Sequence, residues 1–426
     1  MAIAHQNVWE ETAVAETAFR PLEQSIRADV AVVGGGYCGL SAALHLAESG
    51  ANVALLEAQR PGWGASGRNG GQVIPGFKYD PDELEAMFGP ARGERIWRFG
   101  GQTADFVFDL IARQRMNVTS TRGGWVQGIH SQKAAARSRR RVEQWQRRGA
   151  PMDHLDAAQT AAIVGTRIYA AGVIDRRGGA LQPLSFAREL ARVAGAAGAN
   201  IYGSTRVAKI AQSEDGWTLT CTNGASVRAA NVLICTNGYS DALIPHLRNS
   251  IIAANSLQIA TEPLPSELRT RILPHGEVVS DTRKIIRYWR LDDRGRMVFG
   301  GRGPYREPDD EADWAHLVHD LKTLFPMLAP LRITHRWAGR IAIHPNFMPH
   351  LHEPKPGILI AVGCQGRGIG LQTAMGSELA KRALDRSYEP PLLFSPIRPV
   401  PLHGLKAVSV SAMVALYRAM DKLGLS

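Results

Sequence analysis

Residues 28–57 are the stretch that most constrains what this chain can fold into. A short apolar run comes first, and three glycines in G-x-G-x-x-G spacing follow it: Gly34, Gly36 and Gly39. Apolar residues at helical spacing come next, and a second apolar run ends at Glu57. This order predicts a strand, a tight turn, a helix and a second strand that is parallel to the first.

Each glycine has its own physical role in such a unit. Gly34 permits the turn, Gly36 lets a pyrophosphate approach the backbone, and Gly39 lets the helix pack closely on the strand. The N-terminus of the helix offers free N–H groups and a partial positive charge to that pyrophosphate. Glu57 stands eighteen residues after Gly39, where its carboxylate can accept hydrogen bonds from both ribose hydroxyls. The unit therefore predicts dinucleotide binding, and a glycine-rich turn in an ordinary α/β fold is the alternative.

The composition is that of a basic globular protein. The chain has 426 residues, enough for two or three domains, with 45% hydrophobic and 21% charged residues. Its 50 Lys and Arg residues exceed its 39 Asp and Glu residues, which gives a formal net charge of +11. The charge is scattered except in the Arg-rich run 133–148. We interpret this run as one solvated helix face rather than a contact for nucleic acid or anionic lipid, so no nucleic-acid partner is predicted.

The cysteines and the N-terminal sequence indicate the cellular compartment in which the protein is expected. None of Cys38, Cys221, Cys235 and Cys364 forms a C-x-x-C pair, and no histidine spacing completes a zinc site, so we expect no bound metal. This cysteine usage favours a cytoplasmic protein. The N-terminus lacks the basic start and apolar core of a signal peptide, and no apolar run is long enough to predict a membrane span.

A second glycine-rich segment, AQRPGWGASGRNGGQVIPG, occupies residues 58–76. Such a segment leaves backbone N–H groups free to approach an anion or a ring. A flavoprotein needs it, because the long ribityl and ring portions must pass along the backbone, whereas a simple NAD-dependent dehydrogenase does not. A flexible loop is the alternative. Ser66, Arg68 and Asn69 among the glycines favour a defined polar site instead.

The remainder of the chain alternates between helical and strand-like patterns. A buried strand ends in Thr236, Asn237 and Gly238, where a small residue suits the close passage of a cofactor. Alternating polar and apolar residues within 250–335 predict antiparallel strands, including a hairpin with Asp-Arg-Gly at its turn. Residues 357–384 predict a strand, a turn crowded with glycines and a helix. The N-terminus of that helix can stabilise negative charge on the N1 and O2 side of a flavin.

Five motifs along the chain carry a family resemblance. They are GGGYCGLSAALHLAESGANVALLEA, SGRNGGQ, GGALQPLSFARELA, CTNGYS and AVGCQGRGIG. In these motifs the chain resembles, over nearly its whole length, the FAD-dependent oxidoreductases related to glycine oxidase and D-amino-acid oxidase. Within that family, GASGRNGGQ, the TEPL pattern, RMVFGGR and the helical tail are most similar to γ-glutamylputrescine-oxidase-like proteins.

The resemblance implies a cofactor and a reaction. It implies FAD in place of NAD, and oxidation of a C–N bond to an imine by hydride transfer to flavin N5, after which the imine hydrolyses. Because the cofactor carries this chemistry, no residue is expected to act as a catalytic acid or base. The substrate amine must be neutral, which a pocket can favour by desolvation.

The patterns and the resemblance together predict an α/β fold class. It consists of a discontinuous Rossmann-like FAD-binding domain plus an α+β substrate domain with an antiparallel sheet. The predicted boundaries are 1–90, 150–249 and 336–392 for the FAD-binding domain, 91–149 and 250–335 for the substrate domain, and 393–426 for a C-terminal helical tail with an amphipathic helix over 405–424.

The resemblance also implies which residues contact FAD. The ADP half is assigned to Gly34, Gly36, Tyr37, Cys38, Gly39, Glu57 and Ala58, with Val207 presenting its backbone to adenine. The ribityl chain and the ring are assigned to Ser66, Gly67, Arg68, Asn69, Gly70, Gly71 and Gln72. Further cofactor contacts, which include the pyrimidine side, are Thr236, Asn237, Gly238, Gly339, Gly366, Arg367, Gly368, Ile369, Gly370 and Leu371.

Departures from the family pattern bear on the cofactor linkage and the electron acceptor. Sarcosine oxidases hold their flavin through a cysteine in the stretch that matches 337–345, and this stretch has no cysteine here, so non-covalent FAD is predicted. Their carboxylate-binding lysine matches a position near Gly370, and their oxygen-activating lysine matches Arg296, Met297 and Val298. These differences argue against sarcosine as the substrate. They leave the acceptor open between O2 and another electron acceptor.

The candidate substrate-binding residues are Tyr288, Trp289, Arg340 and His344. The two aromatic rings lie on the predicted hairpin and can pack on an alkyl amine or on its cationic form; membership of the sheet core is the alternative. Arg340 lies within one residue of the position that binds the substrate carboxylate in glycine oxidases. Prolines interrupt the histidines that follow His344, which argues against a metal site.

Several functions remain open from the sequence. The first is oxidation of a secondary or substituted amine similar to γ-glutamylputrescine. The second is an amino-acid oxidase or dehydrogenase of the same fold, acting on glycine, pipecolate, N-methyl or D-amino acids. The third is a non-catalytic FAD-binding subunit of a complex, and a nucleic-acid binder rests on charge alone. The oligomeric state is not predicted.

Overall fold

The computed structural model describes residues 7–401, 403–405, 413–414, 416–417 and 420–421. The strands, in chain order, are β1 (Ile26–Val33), β2 (Val53–Leu56), β3 (Gln72–Val73), β4 (Ser120–Thr121), β5 (Trp125–Ile129), β6 (Met152–Leu155), β7 (Ala171–Asp175), β8 (Gly179–Leu181), β9 (Asn200–Tyr202), β10 (Val207–Ser213), β11 (Gly216–Cys221), β12 (Ser226–Ile234), β13 (Ile252–Pro263), β14 (Val278–Asp281), β15 (Tyr288–Leu291), β16 (Arg296–Arg302), β17 (Ile333–Ile343), β18 (His350–Lys355) and β19 (Ile358–Val362).

The α-helices alternate with these strands. They are α1 (Tyr37–Glu48), α2 (Pro81–Phe88), α3 (Pro90–Arg113), α4 (Gln132–Gln146), α5 (Ala157–Val164), α6 (Pro183–Ala196), α7 (Ser266–Arg269), α8 (Ala315–Leu324) and α9 (Gly368–Leu384). Short 3-10 helices lie at Val8–Glu11, Ala65–Gly67, Asn237–Tyr239, Leu247–Ser250, Glu311–Trp314, Pro326–Leu328 and His403–Leu405.

The first sheet is built around the predicted strand–helix–strand unit. β1 pairs in parallel with β2 on one side and with β12 on the other, and β9 pairs in parallel with β2. The C-terminal half of β12 pairs in parallel with β19, while its N-terminal half pairs antiparallel with β11, which in turn pairs with β10. Parallel strands that are buried on both faces require continuous apolar runs, as seen in β1 and β2. The predicted Rossmann-like fold is confirmed.

Helices α1, α3, α6 and α9 cover one face of this sheet. Their apolar sides share one core, to which Leu44, Val107, Leu190 and Met375 each contribute a buried side chain. The same core includes β1 residues such as Val32. This packing fixes the N-termini of α1 and α9 at the same edge of the sheet, beyond the carboxyl ends of the parallel strands, where α/β proteins bind ligands.

The second sheet has the order β17-β13-β16-β15-β14-β5-β7-β6 and is antiparallel except between β14 and β5. One side, which we call the outer face, packs against α8 through residues such as Leu257, Trp289 and Phe299. The other side, which we call the inner face, is directed at the first sheet. Its central residues, matched across the ladder, are Ser256, Gln258, Tyr288, Gly300, Arg302, Trp337 and Gly339.

Sheet membership differs from the predicted domain boundaries at several elements. β6, β7 and most of β17 hydrogen-bond in the second sheet, although residues 150–249 and 336–392 had been assigned to the FAD-binding domain. Helix α3 packs in the core of the first sheet, although 91–149 had been assigned to the substrate domain. The exact domain boundaries therefore stay a prediction. The difference arises because strand pairing is non-local, so a local pattern does not specify which sheet a strand joins.

The Arg-rich run forms α4 and the two residues after it, and three of its six arginines form ion pairs within the protein. Arg141 bonds the buried Asp80 at 2.5 Å, and Arg148 bonds Glu85 at 2.9 Å. The opposite side of the helix is buried through Val142 and Trp145. The run is thus a docked amphipathic helix with one solvated face, as interpreted from the sequence.

Two further expectations concern the ends of the chain and metals. Residues 393–401 and 403–405 of the predicted tail are described, whereas most of its predicted helix at 405–424 lies outside the described residues. Within the part of the chain that the structure describes, no helix is both long and apolar enough to cross a membrane. The same residues contain no group of three or more histidine, cysteine, aspartate or glutamate side chains placed to hold a metal ion.

Candidate active site

The turn between β1 and α1 has no room for side chains. Gly34 has φ +108°, and a Cβ there would lie 3.0 Å from the carbonyl oxygen of Cys235 at the end of β12. A Cβ at Gly39 would lie 2.0 Å from the carbonyl oxygen of Gly34, and one at Gly36 would lie 2.9 Å from Ser66 Oγ. The turn therefore leaves the N-terminus of α1 open to a close-approaching group, as predicted for a pyrophosphate.

Glu57 is placed beside this turn at the end of β2. Its Oε2 accepts a hydrogen bond from Gly35 N–H at 2.6 Å, and its Oε1 accepts one from Gln59 N–H at 2.8 Å. Burial raises the pKa of Glu57, while these two N–H donors act to lower it. Each oxygen keeps a second lone pair, so the carboxylate can still accept bonds from a pair of hydroxyls.

The predicted adenine side lies along the same strand end. Glu57 N–H donates to the Tyr202 carbonyl at 2.9 Å, and Thr205 N–H donates to the Glu57 carbonyl at 2.8 Å. This pairing brings the start of β10, and with it the buried Val207, next to Glu57 and Ala58. The structure thus brings these predicted residues together at one end of the site.

The 65–72 loop is fixed by its own side chains. Asn69 Nδ2 donates to the Ser66 carbonyl at 2.8 Å and approaches the Tyr37 hydroxyl at 3.1 Å, while Asn69 Oδ1 accepts from Gly71 N–H at 2.9 Å. Gln72 Nε2 donates to the carbonyls of β14 and β15. The side chains of Asn69 and Gln72 therefore hold the loop in place, and their contact with the ribityl chain and the ring stays a prediction. The backbone of the loop remains available to a ligand.

The loop is held against the inner face of the second sheet. The Arg68 carbonyl accepts hydrogen bonds from Gln258 Nε2 at 2.6 Å and from Trp337 Nε1 at 2.9 Å. A Cβ at Gly70 would lie 3.0 Å from the Tyr288 ring, and one at Gly339 would lie 3.4 Å from Arg68 Cβ. The loop thus lies where the two sheets meet.

Two strand ends and the second glycine turn complete the site. Asn237, at φ +42°, accepts a bond from Gly363 N–H at 2.9 Å and so ties the end of β12 to the end of β19. Gly238 lies against the backbone of β17, where a Cβ would be 3.0 Å from the Arg340 carbonyl oxygen. Gly366 has φ +79°, which lets the chain reverse before α9 begins.

The turn before α9 and the first part of that helix carry buried polar atoms without partners. The Oε1 atoms of Gln365 and Gln372 are buried and accept no hydrogen bond. The buried Arg367 guanidinium lies 5.5 Å from the Trp125 ring, and its pKa is lowered to about 9, chiefly by burial and then by Arg141. Unsatisfied buried atoms of this kind cost free energy unless a ligand completes them.

The substrate candidates separate into different environments. Tyr288 lies on the inner face, and its hydroxyl is 2.7 Å from Ser256 Oγ. Trp289, the next residue, points to the outer face, is fully buried and stacks on Phe299 with ring centroids 6.0 Å apart. Its place in the core differs from the predicted pocket role, because successive strand residues point to opposite faces.

The other two candidates are also engaged elsewhere. Arg340 Nη2 lies 2.5 Å from a Glu307 oxygen, and 41% of the arginine side chain is exposed. His344 is buried and stacks on His350 with ring centroids 3.9 Å apart. Burial, together with the neighbouring histidines, lowers the pKa of His344 to about 3, so its ring is neutral. Neither side chain is directed at the 65–72 loop in the way that Tyr288 is.

Sequence reasoning did not identify three polar residues of the inner face: Ser256, Gln258 and Arg302. They alternate along β13 and β16 with core residues such as Leu257. The period-two pattern of these strands was visible in the sequence. The sequence alone could not decide whether these polar residues or the apolar residues that alternate with them lie on the side of the sheet that faces the 65–72 loop.

A family model described as FAD dependent oxidoreductase matches residues 29–382, most of the chain. The chain belongs to this family. The match covers both glycine turns, the 65–72 loop and the whole second sheet. The chain is therefore an FAD-dependent oxidoreductase.

Similar proteins agree with this membership. The chain is 34% identical over 388 residues to the probable oxidoreductase OrdL of Rhizobium meliloti (strain 1021), with 90% of each chain covered. It is 30% identical over 413 residues to the γ-glutamylputrescine oxidoreductase of Escherichia coli (strain K12), covering 95% of this chain and 96% of that protein. Among solved structures, glycine oxidase from Geobacillus kaustophilus superposes with a TM-score of 0.71 at 20% identity, covering 88% of this chain and 99% of that one. At this identity the likeness shows the fold alone.

The residues present fit FAD. Two glycine turns place helix N-termini at one sheet edge, the Glu57 carboxylate stands beside the first turn, and unpartnered amide oxygens of Gln365 and Gln372 flank the second. The first turn would hold the pyrophosphate and the second the pyrimidine side of the ring. The 65–72 loop, fixed against the inner face, lies between them.

Proposed function

We propose that this FAD-dependent oxidoreductase oxidises the C–N bond of a secondary or substituted amine similar to γ-glutamylputrescine. The similarity to the E. coli γ-glutamylputrescine oxidoreductase, at 30% identity over nearly the full length of both chains, supports this substrate class. The observation that carries the proposal is the inner face opposite the 65–72 loop. There Tyr288 and Ser256 present a hydroxyl pair, whereas Arg340, which the glycine-oxidase resemblance suggested for a carboxylate, is paired with Glu307.

The chemistry that FAD supplies when bound is acceptance of a hydride from the carbon next to the substrate nitrogen. The protein's own part is to bind the amine and to keep it neutral. The buried guanidinium of Arg290 lies against Gly71 of the 65–72 loop, and no carboxylate among the described residues forms an ion pair with it. Neighbouring positive charge lowers the pKa of a substrate ammonium, as desolvation does, so both effects favour the neutral amine.

Tyr288 would orient the amine rather than exchange a proton with it. Burial raises the pKa of Tyr288 to about 12, despite the hydrogen bond with Ser256. The hydroxyl therefore stays protonated at neutral pH. It can donate to a lone pair or pack its ring on an alkyl chain.

Three accompanying features belong to the same proposal. FAD is bound without a covalent link, because β17 and the residues after it up to 345 contain no cysteine. All four cysteines are free and buried, which supports a cytoplasmic location. The electron acceptor is O2 or another electron acceptor. Acid precipitation should release the yellow flavin into the supernatant; colour retained in the pellet would contradict the non-covalent link.

The test of the proposed function is anaerobic titration of the purified holoprotein. The panel holds γ-glutamylputrescine, putrescine, N-methyl amino acids, pipecolate and D-amino acids. Loss of the oxidised flavin absorbance with γ-glutamylputrescine is expected, and the rate at which air restores the colour separates an oxidase from a dehydrogenase. Reduction by amino acids alone would favour the amino-acid oxidase instead. A flavin that no compound reduces would contradict the proposal and favour a non-catalytic subunit.

A further inference from the structure

Two cysteines lie directly behind the β1–α1 turn. Cys38 is the second residue of α1, and Cys235 is the residue that follows β12. The Cys235 N–H donates to the Val33 carbonyl at 2.9 Å, so Cys235 stands beside the start of the turn. Side chains near the end of β12 alternate between the two faces of the first sheet: Leu233 and Cys235 join the core beneath α1, whereas Ile234 joins the core of the other face. Cys38 belongs to the same core as Cys235.

The two thiols are neighbours in this core. Cys38 is 3% exposed and Cys235 is 6% exposed. A hydrogen bond with the Cys38 thiol raises the pKa of Cys235 well above its ordinary value, and burial raises it further. The Cys235 thiol therefore stays protonated at neutral pH, which leaves Cys38 as the sulfur that reacts first with an oxidant. Two thiols that lie this close can be joined by a disulfide once one of them is oxidised.

The backbone around the two cysteines has no slack. A Cβ at Gly34 would lie 3.0 Å from the Cys235 carbonyl oxygen, and a Cβ at Gly376 of α9 would lie 2.2 Å from the Cys38 carbonyl oxygen. A disulfide bond is about 2.05 Å long, which is shorter than the separation of two thiols that share a hydrogen bond. Forming the bond therefore draws the first turn of α1 and the end of β12 together. Because the backbone is already closely packed on both sides, this movement displaces the glycine turn between them.

We propose that hydrogen peroxide converts Cys38 and Cys235 into a reversible disulfide, and that this disulfide weakens the binding of FAD. The Cys38 sulfur attacks one peroxide oxygen, the O–O bond breaks, and water leaves a sulfenic acid on Cys38. The Cys235 sulfur then attacks the Cys38 sulfur, the S–O bond breaks, and a second water leaves. Two thiols are thus oxidised by two electrons in total, and one peroxide is reduced to two waters.

The same coupling makes FAD protect the thiols. If the disulfide lowers the affinity for FAD by some factor, FAD must oppose formation of the disulfide by the same factor, because the two equilibria are linked. An enzyme of this family that passes its electrons to O2 makes peroxide itself, so the pair would then respond to its own product. The inference does not depend on which amine is oxidised.

The test treats the full-length chain with hydrogen peroxide, with and without saturating FAD. Without FAD, the count of free thiols in denaturant should fall from four to two, and peptide mapping should find Cys38 linked to Cys235. The dissociation constant for FAD, measured by fluorescence titration, should rise about 5- to 150-fold, and dithiothreitol should reverse both changes. In glutathione buffers, saturating FAD should shift the ratio of oxidised to reduced glutathione that oxidises half of the pair by the same factor.

Cysteine variants supply the controls. Cys235→Ser, with Cys235→Ala as a second replacement, should form no internal disulfide under peroxide. Cys221→Ser is the matched control, since Cys221 is equally buried but lies in the core of the other face; it should still form the link and lose affinity for FAD. The wild-type protein with and without dithiothreitol gives the same comparison without any substitution.

Several outcomes would overturn the inference. They are retention of all four thiols, a link through Cys221 or Cys364, an unchanged affinity for FAD in the linked protein, and a loss of affinity that dithiothreitol does not reverse. These measurements use FAD and no amine. A failure here therefore leaves the proposed substrate class unaffected, and a flavin that no amine reduces leaves this result unaffected.

Discussion

Glu57 illustrates how one residue can serve both the turn and the ligand. Its carboxylate accepts Gly35 N–H at 2.6 Å and Gln59 N–H at 2.8 Å, and both oxygens have lone pairs left for a ribose. We expect Glu57→Ala to weaken FAD binding by the apoprotein about 10- to 100-fold, the equivalent of one or two hydrogen bonds. Fluorescence titration with FAD measures this. Glu48→Ala, an exposed acid at the far end of α1, is the control. Equal affinity of the two variants would contradict the assigned role.

At the scale of single residues, neighbours in sequence have unrelated environments. Tyr288 and Trp289 were indistinguishable as pocket candidates, and the structure places them on opposite faces of β15. Gly339 and Arg340 differ in the same way on β17. A strand gives its alternate residues to two surfaces, so a shift of one position exchanges a core side chain for a ligand-facing one.

At the scale of elements, the β1–α1 turn depends on Gly39. A Cβ there would lie 2.0 Å from the Gly34 carbonyl oxygen, and backbone atoms cannot give way as a flexible side chain can. We expect Gly39→Ala to lower the free energy of unfolding by about 2 kcal/mol or more and to abolish retention of FAD on purification. The control is Gly195→Ala in α6, where a Cβ meets nothing within 4 Å. Urea unfolding followed by circular dichroism separates the two. A Gly39→Ala protein as stable as the control would refute the close-packing argument.

Two stacked histidines lie where β17 leads into β18: the buried His344 in the link and the half-buried His350 at the start of β18. Burial and the neighbouring rings lower the pKa of His344 to about 3 and that of His350 to about 4, below the value of about 6.5 in an unfolded chain. The unfolded state therefore binds more protons between about pH 4 and 6.5, and the free energy of unfolding should fall as the pH drops through that window.

A variant can test this acid sensitivity. His350→Gln should make the pH dependence of the unfolding free energy shallower by up to one proton, or about 1.4 kcal/mol per pH unit, between pH 4 and 6.5. His319→Gln, an exposed histidine on α8, should leave the slope unchanged. Denaturant unfolding of the apoprotein at several pH values gives both slopes. Identical slopes in the two variants would show that the histidines do not control acid stability.

At the scale of the whole molecule, the N-terminal arm connects the two sheets. Trp9 is fully buried: its Nε1 donates to the Asn69 carbonyl at 2.8 Å, and its ring meets Trp337 edge-on with centroids 6.0 Å apart. Gln182 Nε2, just before α6, donates to the Trp9 carbonyl at 2.8 Å. Trp9 therefore anchors the arm and holds the 65–72 loop against the second sheet.

Loss of this anchor should affect stability and cofactor retention together. We expect Trp9→Ala to reduce the free energy of unfolding by about 3–5 kcal/mol and to speed FAD release, because the loop loses its support. Met327→Ala, whose side chain is 43% exposed, is the control and should change neither. Thermal unfolding and dilution-induced FAD release report the two effects. A destabilised variant with an unchanged FAD release rate would contradict the link between anchor and loop.

The sequence by itself determined the strand–helix–strand unit, the glycine turns, the Glu57 position and the family. These depend on local spacing, since a turn that admits no Cβ and a helix N-terminus that meets a pyrophosphate are properties of a few consecutive residues. Only the tertiary structure decided which sheet β6, β7 and β17 join, and which face of β13, β15 and β16 meets the cofactor. Strand pairing and sheet packing join residues far apart in the chain. The inner-face position of Tyr288 and the ion pair of Arg340 with Glu307 therefore became visible only once the two sheets were in place.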